Sequence, residues 1–115
     1  MQIDIRPLNL ALDPAARARI AKRARFALER LAARVRRVEI RLADINGPRG
    51  GIDKRCRVLV HLDGAPPMLV QEQGDSLPAL VDRALDRAGR AVRKRVGQTT
   101  QPRYAPRVAR LPSPG

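Results

Sequence analysis

Four cations, Arg83, Arg87, Arg90 and Lys94, recur at spacings of four, three and four. On an α-helix those spacings gather all four within an arc of roughly 60°. Such a line offers a cation every one or two turns, and the chemistry it suits is contact with successive phosphates of a nucleic acid. The alternative is a solvated face, but solvated helices usually mix signs to gain pairs worth about 0.2–0.5 kcal/mol each. Asp82 and Asp86 fall to one side of the row, so the row itself reads as single-signed. Arg19, Lys22, Arg23 and Arg30 form a second, looser set on a helical segment nearer the N-terminus, with Phe26 projecting among them. An aromatic in that position either stacks on an unpaired base or packs against a neighbouring loop or the tail.

Other chemistries find little support. His61 is the sole histidine and falls on the outward phase of a strand beside Arg57, with no serine, cysteine or second histidine placed to make a triad. The sole cysteine, Cys56, falls on an inward phase and reads as a small buried apolar group; it excludes an intramolecular disulfide. Asp44 and Asp53 flank a glycine-rich loop but are too few for a hard-cation cage. Gly47-Pro48-Arg49-Gly50 matches the GxxG pattern of KH domains, yet it lies between strands rather than between helices. No nucleophile, base and oxyanion site assemble, so the expectation is a non-enzyme without metal, cofactor or small-molecule substrate.

The elements that must hold these cations can be read from periodicity. Residues 2–6 alternate as a strand, with Ile3 and Ile5 on one side. Asp13-Pro14 starts a helix that is expected to run to about Arg34, burying Ile20, Ala24, Ala27, Leu28 and Leu31. Alternation resumes over residues 36–45, and again at Cys56, Val58, Val60 and Leu62. Asp63-Gly64 signals a turn into a short strand, Met68 to Glu72. The second helix is expected from about Leu77 to Val96, stopping at Gly97. Its apolar residues, among them Leu80, Val81, Ala84, Leu85, Ala88 and Val92, occupy roughly 140°. The order β-α-β-β-β-α predicts an α+β two-layer sandwich, a four-stranded mixed sheet with both helices on one face. Residues 1–97 make one domain, and the proline-punctuated basic segment 98–115 is expected to be a disordered tail.

Composition agrees with a polyanion partner. The 115 residues carry 24 Lys plus Arg against 11 Asp plus Glu, a formal charge of +13, and only Lys22, Lys54 and Lys94 are not arginine among the cations. With 43% hydrophobic and 2% aromatic residues, the core must be aliphatic. The sheet already claims both apolar helix faces, so nucleic acid is preferred over a membrane; with no helix-turn-helix, zinc-finger or basic-zipper pattern, structured RNA is preferred over DNA. No run approaches the ~18 apolar residues of a membrane span, and the N-terminus lacks a signal peptide's apolar core, so the expected compartment is the cytoplasm.

Asp44-Ile45-Asn46-Gly47-Pro48-Arg49-Gly50-Gly51, continuing through Asp53-Lys54-Arg55-Cys56-Arg57-Val58, resembles the ribosome hibernation-promoting factor family in its short form. The second-helix run from Leu80 to Arg90 is similar to the same family, which includes the ribosome-associated inhibitor A and is also known as the sigma-factor modulation protein family. The resemblance covers residues 1 to about 97. It implies a protein that binds the small ribosomal subunit and its rRNA in the channel used by mRNA and tRNA, blocking initiation in stationary phase or stress. It also implies rRNA contacts at Arg87, Arg90 and Lys94, and less directly at Lys22 and Arg23 with Arg19 and Arg30. Pro78 departs from the family pattern at the start of the second helix. A protein-interaction module that modulates a transcription factor is the rival expectation.

Overall fold

Asp13 caps the first helix, its Oδ1 accepting from the Ala16 amide at 2.7 Å, and Pro14 takes the first helical position. That start sits inside a computed structural model that describes residues 1–45 and 53–100. In chain order the elements are β1 (Gln2–Leu8), α1 (Pro14–Leu28), a 3₁₀ turn (Glu29–Leu31), β2 (Val35–Asp44), β3 (Lys54–Leu62), β4 (Met68–Gly74) and α2 (Leu77–Thr100). The strands lie in the order β1-β2-β3-β4; β1 runs parallel to β2, while β2–β3 and β3–β4 are antiparallel. The predicted α+β sandwich with a four-stranded mixed sheet is therefore the observed fold.

Strand alternation divides the sheet into two unlike faces. Val38, Ile40, Leu42, Cys56, Val58, Val60 and Val70 are buried, and they form one core with Ile20, Ala24 and Leu28 of α1 and Leu80, Leu85 and Val92 of α2. Ala27 and Leu31, also expected in that core, pack against it only half-buried. Cys56 is buried in this core, and burial, with the negative charge of Glu72 second, pushes its thiol up to about 12. It is a packing group and not a nucleophile, because the thiolate is the reactive form.

Two helix boundaries differ from expectation. α1 stops at Leu28 and tightens into the 3₁₀ turn, so Arg30 sits in that turn and not on the helix. The chain must reverse within a few residues to enter β2 at Val35, and a 3₁₀ turn is a common way to close a helix end. α2 continues through Gly97 to Thr100, so that glycine does not terminate it. Glycine costs a helix roughly 1 kcal/mol, which neighbouring turns can absorb. Pro78 is accommodated at the second residue of α2, where its missing amide hydrogen would have had no partner in the helix. The expected turn at Asp63-Gly64 is present, with Gly64 at φ +70°. The GxxG loop and most of the tail, with its expected disorder, lie outside the described residues.

Gly89 sets how closely the helices approach. A Cβ there would lie 3.0 Å from the Ala27 carbonyl oxygen, inside normal contact with a backbone that cannot swing aside. Gly89→Val is expected to force the helices apart and lower the unfolding free energy by about 1–3 kcal/mol, read by urea denaturation. Cys56 should react with a thiol reagent only when the protein unfolds, so its labelling rate should rise with denaturant in step with unfolding.

Candidate nucleic-acid interface

Both helices lie on the same side of the sheet, with their polar sides outward. Arg23 of α1 reaches across to α2, donating from Nε to Asp82 Oδ1 at 3.0 Å and from Nη2 to Asp86 Oδ1 at 2.8 Å. The two aspartates are therefore the far half of a helix–helix bridge. The four-residue spacing of Asp82 and Asp86 puts them one turn apart on α2, which suits one guanidinium fork.

The row Arg83, Arg87, Arg90, Lys94 is not single-signed in three dimensions. Glu72 projects from the inward phase of β4 toward α2 and pairs with both Arg83, at 3.3 Å, and Arg87. The same arginines also donate to β4 carbonyls, Arg83 to Gln73 at 3.0 Å and Arg87 to Gln71 at 3.1 Å. The hydrogen bond from Arg87 chiefly, with that from Arg83 adding, holds the Glu72 carboxyl below its ordinary value despite the opposing effect of burial. The first half of the row thus fastens α2 to the edge strand.

The remaining cations behave differently. A groove of about 400 Å³ runs between α1, the 3₁₀ turn and α2, and Arg30, Arg90, Arg93 and Phe26 all line it. Arg30, Arg90 and Arg93 are exposed and have no hydrogen-bond or ion-pair partner among the described residues. Phe26 is 70% exposed, with the Arg23 guanidinium carbon 5.7 Å from its ring centroid. That distance is within cation–π range, so the ring is oriented by a neighbour while its other surface stays open. Arg19, Lys22 and Lys94 are likewise without a described partner. Of the expected site residues, the groove brings together Arg23, Arg30 and Arg90, while Arg83 and Arg87 are drawn to the β4 edge.

Sequence reading missed Arg93, which stands just outside the chosen row but lines the groove. It also missed Glu72, whose signal was an acid on the inward phase of a strand that faces a basic helix.

The opposite face of the sheet has its own charge centre. Glu39 is only 5% exposed and accepts from Arg41 Nη2 at 3.0 Å, and its other oxygen lies 2.8 Å from His61 Nε2. Arg37 at 3.6 Å and Arg6 at 3.9 Å complete the ring around it. The hydrogen bond with His61 first, and that from Arg41 second, hold the Glu39 carboxyl below its ordinary value. His61 therefore sits on the outward phase, as its alternation predicted, in a structural contact. Among the described residues, no group of three or more His, Cys, Asp or Glu is placed to hold a metal ion.

The model of the family described as Sigma 54 modulation protein / S30EA ribosomal protein matches residues 3–100. The chain belongs to this family. Its members are ribosome-associated modulation proteins and not enzymes. The fold is similar to the N-terminal domain of Thermus thermophilus Protein Y, with a TM-score of 0.66 and 24% identity over 82% of this chain and 98% of that one. A ribosomal subunit interface protein from Coxiella burnetii is similar at a TM-score of 0.66 and 19% identity, over 84% of this chain and 99% of that one. No curated protein matches the sequence significantly. None of the described helices is long and apolar enough to cross a membrane.

Glu39 supplies a testable pH dependence. Its carboxyl is depressed in the fold, so its stabilising contribution is full above the ordinary value of 4.5 and is lost as pH falls through the lower folded value. Glu39→Gln is expected to cost on the order of 1–2 kcal/mol at pH 7, because it removes charged hydrogen bonds whose arginine partners are half-exposed. Thermal melts of the two proteins should converge in acid.

Proposed function

We propose that the protein is a hibernation-type translation inhibitor that binds small-subunit rRNA in the mRNA/tRNA channel under stress or in stationary phase. Family membership supplies the ribosome as partner and the cytoplasm as the place of action. The observation that carries the RNA reading is the groove between the helices, where Arg30, Arg90 and Arg93 stand unpaired among the described residues beside an open Phe26 ring.

Unpaired guanidinium forks can each take a phosphate without first breaking an internal ion pair. An aromatic ring open on one face can stack a base, a contact worth about 1–3 kcal/mol in single-strand binders. Lys94, Arg19 and Lys22 extend the same positive surface beyond the groove. Arg23, Arg83 and Arg87 support it by fixing α1 to α2 and α2 to β4. Occupation of the channel would exclude mRNA and tRNA by volume, so the function requires no catalytic step.

Co-sedimentation with purified small subunits tests this reading. An Arg30→Ala/Arg90→Ala/Lys94→Ala variant should bind at least roughly tenfold more weakly at physiological salt, because three phosphate contacts are lost. Binding equal to wild type would refute the helix-face assignment. Capture of a protein partner that persists after ribonuclease treatment, with no binding to subunits, would favour the transcription-factor module instead.

A further inference from the structure

The sheet face turned away from the helices carries an arrangement that the fold itself does not need. Strand register places Arg6, Arg41 and Arg57 as direct cross-strand neighbours on β1, β2 and β3, three cations in one row. Like charges directly opposite one another destabilise a sheet. Arg55 adds a fourth cation one step along β3, opposite Ala43. Asp4 of β1 and Glu39 of β2 are carboxylates of this face already in use, and Asp53, just before β3, pairs with Lys54 at 3.1 Å. Asp4 accepts from Arg37 Nε at 2.7 Å, and Glu39 is engaged by Arg41 and His61. Arg6 approaches Glu39 no closer than 3.9 Å. The Arg57 Nε donates to the neutral Gln71 Oε1 at 2.7 Å, and Arg55 has no hydrogen-bond or ion-pair partner among the described residues. The four arginines line a shallow cleft of about 270 Å³ at one end of the sheet, with Leu8, 60% exposed, at its margin.

We propose that this cleft is a second RNA-backbone site, taking a phosphodiester from an RNA segment other than the one against the helices. Adjacent guanidinium forks converge on one anion, whose charge relieves the repulsion along the row. Leu8 offers an apolar shelf for a ribose. An acidic protein surface fits less well, since protein interfaces centre on apolar or aromatic anchors. Here the exposed leucines, Leu8 and Leu69, lie on opposite edge strands and the middle is charged. Taken with the helix-face site, on which a two-sided grip depends, the domain becomes a wedge that holds RNA on both sides.

The test uses the full chain and two probes, fluorescein-labelled (rU)12 and purified small ribosomal subunits. Arg55→Gln/Arg57→Gln should weaken binding to each roughly three- to tenfold, with an unchanged or higher Tm because repulsion has been removed. Arg25→Gln/Arg36→Gln, a charge-matched control away from both sites, should change affinity less than about twofold. Combining the sheet-face variant with Arg30→Gln/Arg90→Gln should multiply the separate losses, because the faces do not touch. Wild-type affinity in the sheet-face variant, an equal loss in the control, or a loss accompanied by a lower Tm would overturn the proposal. So would retained RNA binding with loss of a ribonuclease-resistant protein partner. Should wild type bind (rU)12 but not subunits, while the sheet-face variant binds (rU)12 more weakly, the cleft stands and the ribosome reading falls.

Discussion

Carboxylates are scarce in this protein, 11 against 24 Lys and Arg, and the fold uses several of them as shared anchors. Glu39 gathers Arg41, His61 and, more loosely, Arg37 and Arg6. Glu72 holds Arg83 and Arg87, while Asp82 and Asp86 together hold the single fork of Arg23. A half-exposed pair contributes little to stability by itself. These contacts matter more for direction: they determine which cations turn inward to fasten elements and which remain available to an external anion.

Two of these anchors join elements that no backbone ladder connects. Arg23 fixes the two helices in register where Gly89 already lets their backbones approach, and Glu72 fixes α2 over the edge strand. The groove between α1 and α2 therefore has a defined width, and Arg30, Arg90, Arg93 and Phe26 line it from both sides. Rigid placement lowers the ordering cost that a polyanion would otherwise incur on binding flexible arginines. A large net charge becomes a shaped surface in this way.

The architecture was legible in the sequence because alternation and helical periodicity are local signals. Ile3 and Ile5, then Val38, Ile40 and Leu42, marked strand faces, and Asp13-Pro14 marked a helix start. Helix ends were less legible. α1 gives way to a 3₁₀ turn under the demands of the connection to β2, and α2 runs past Gly97 because one poor residue does not outweigh its neighbours. The division of cations between anchoring and exposed roles could not be read locally, since Arg23 meets its aspartates across 59 and 63 residues. Nor was the Arg6–Arg41–Arg57 row visible, because it exists only once the register of three strands is known.

The proposed RNA-binding surface would act through phosphate contacts made by cations without a partner among the described residues, and the signature of such contacts is the salt dependence of binding. The direct measurement is the affinity of the wild-type protein for small ribosomal subunits across a series of salt concentrations. With Arg30, Arg90, Arg93 and Lys94 engaged, log K should fall against log salt with a slope of about −3 or steeper, since each contact contributes roughly 0.7–0.9. A slope near zero, with binding retained, would contradict it.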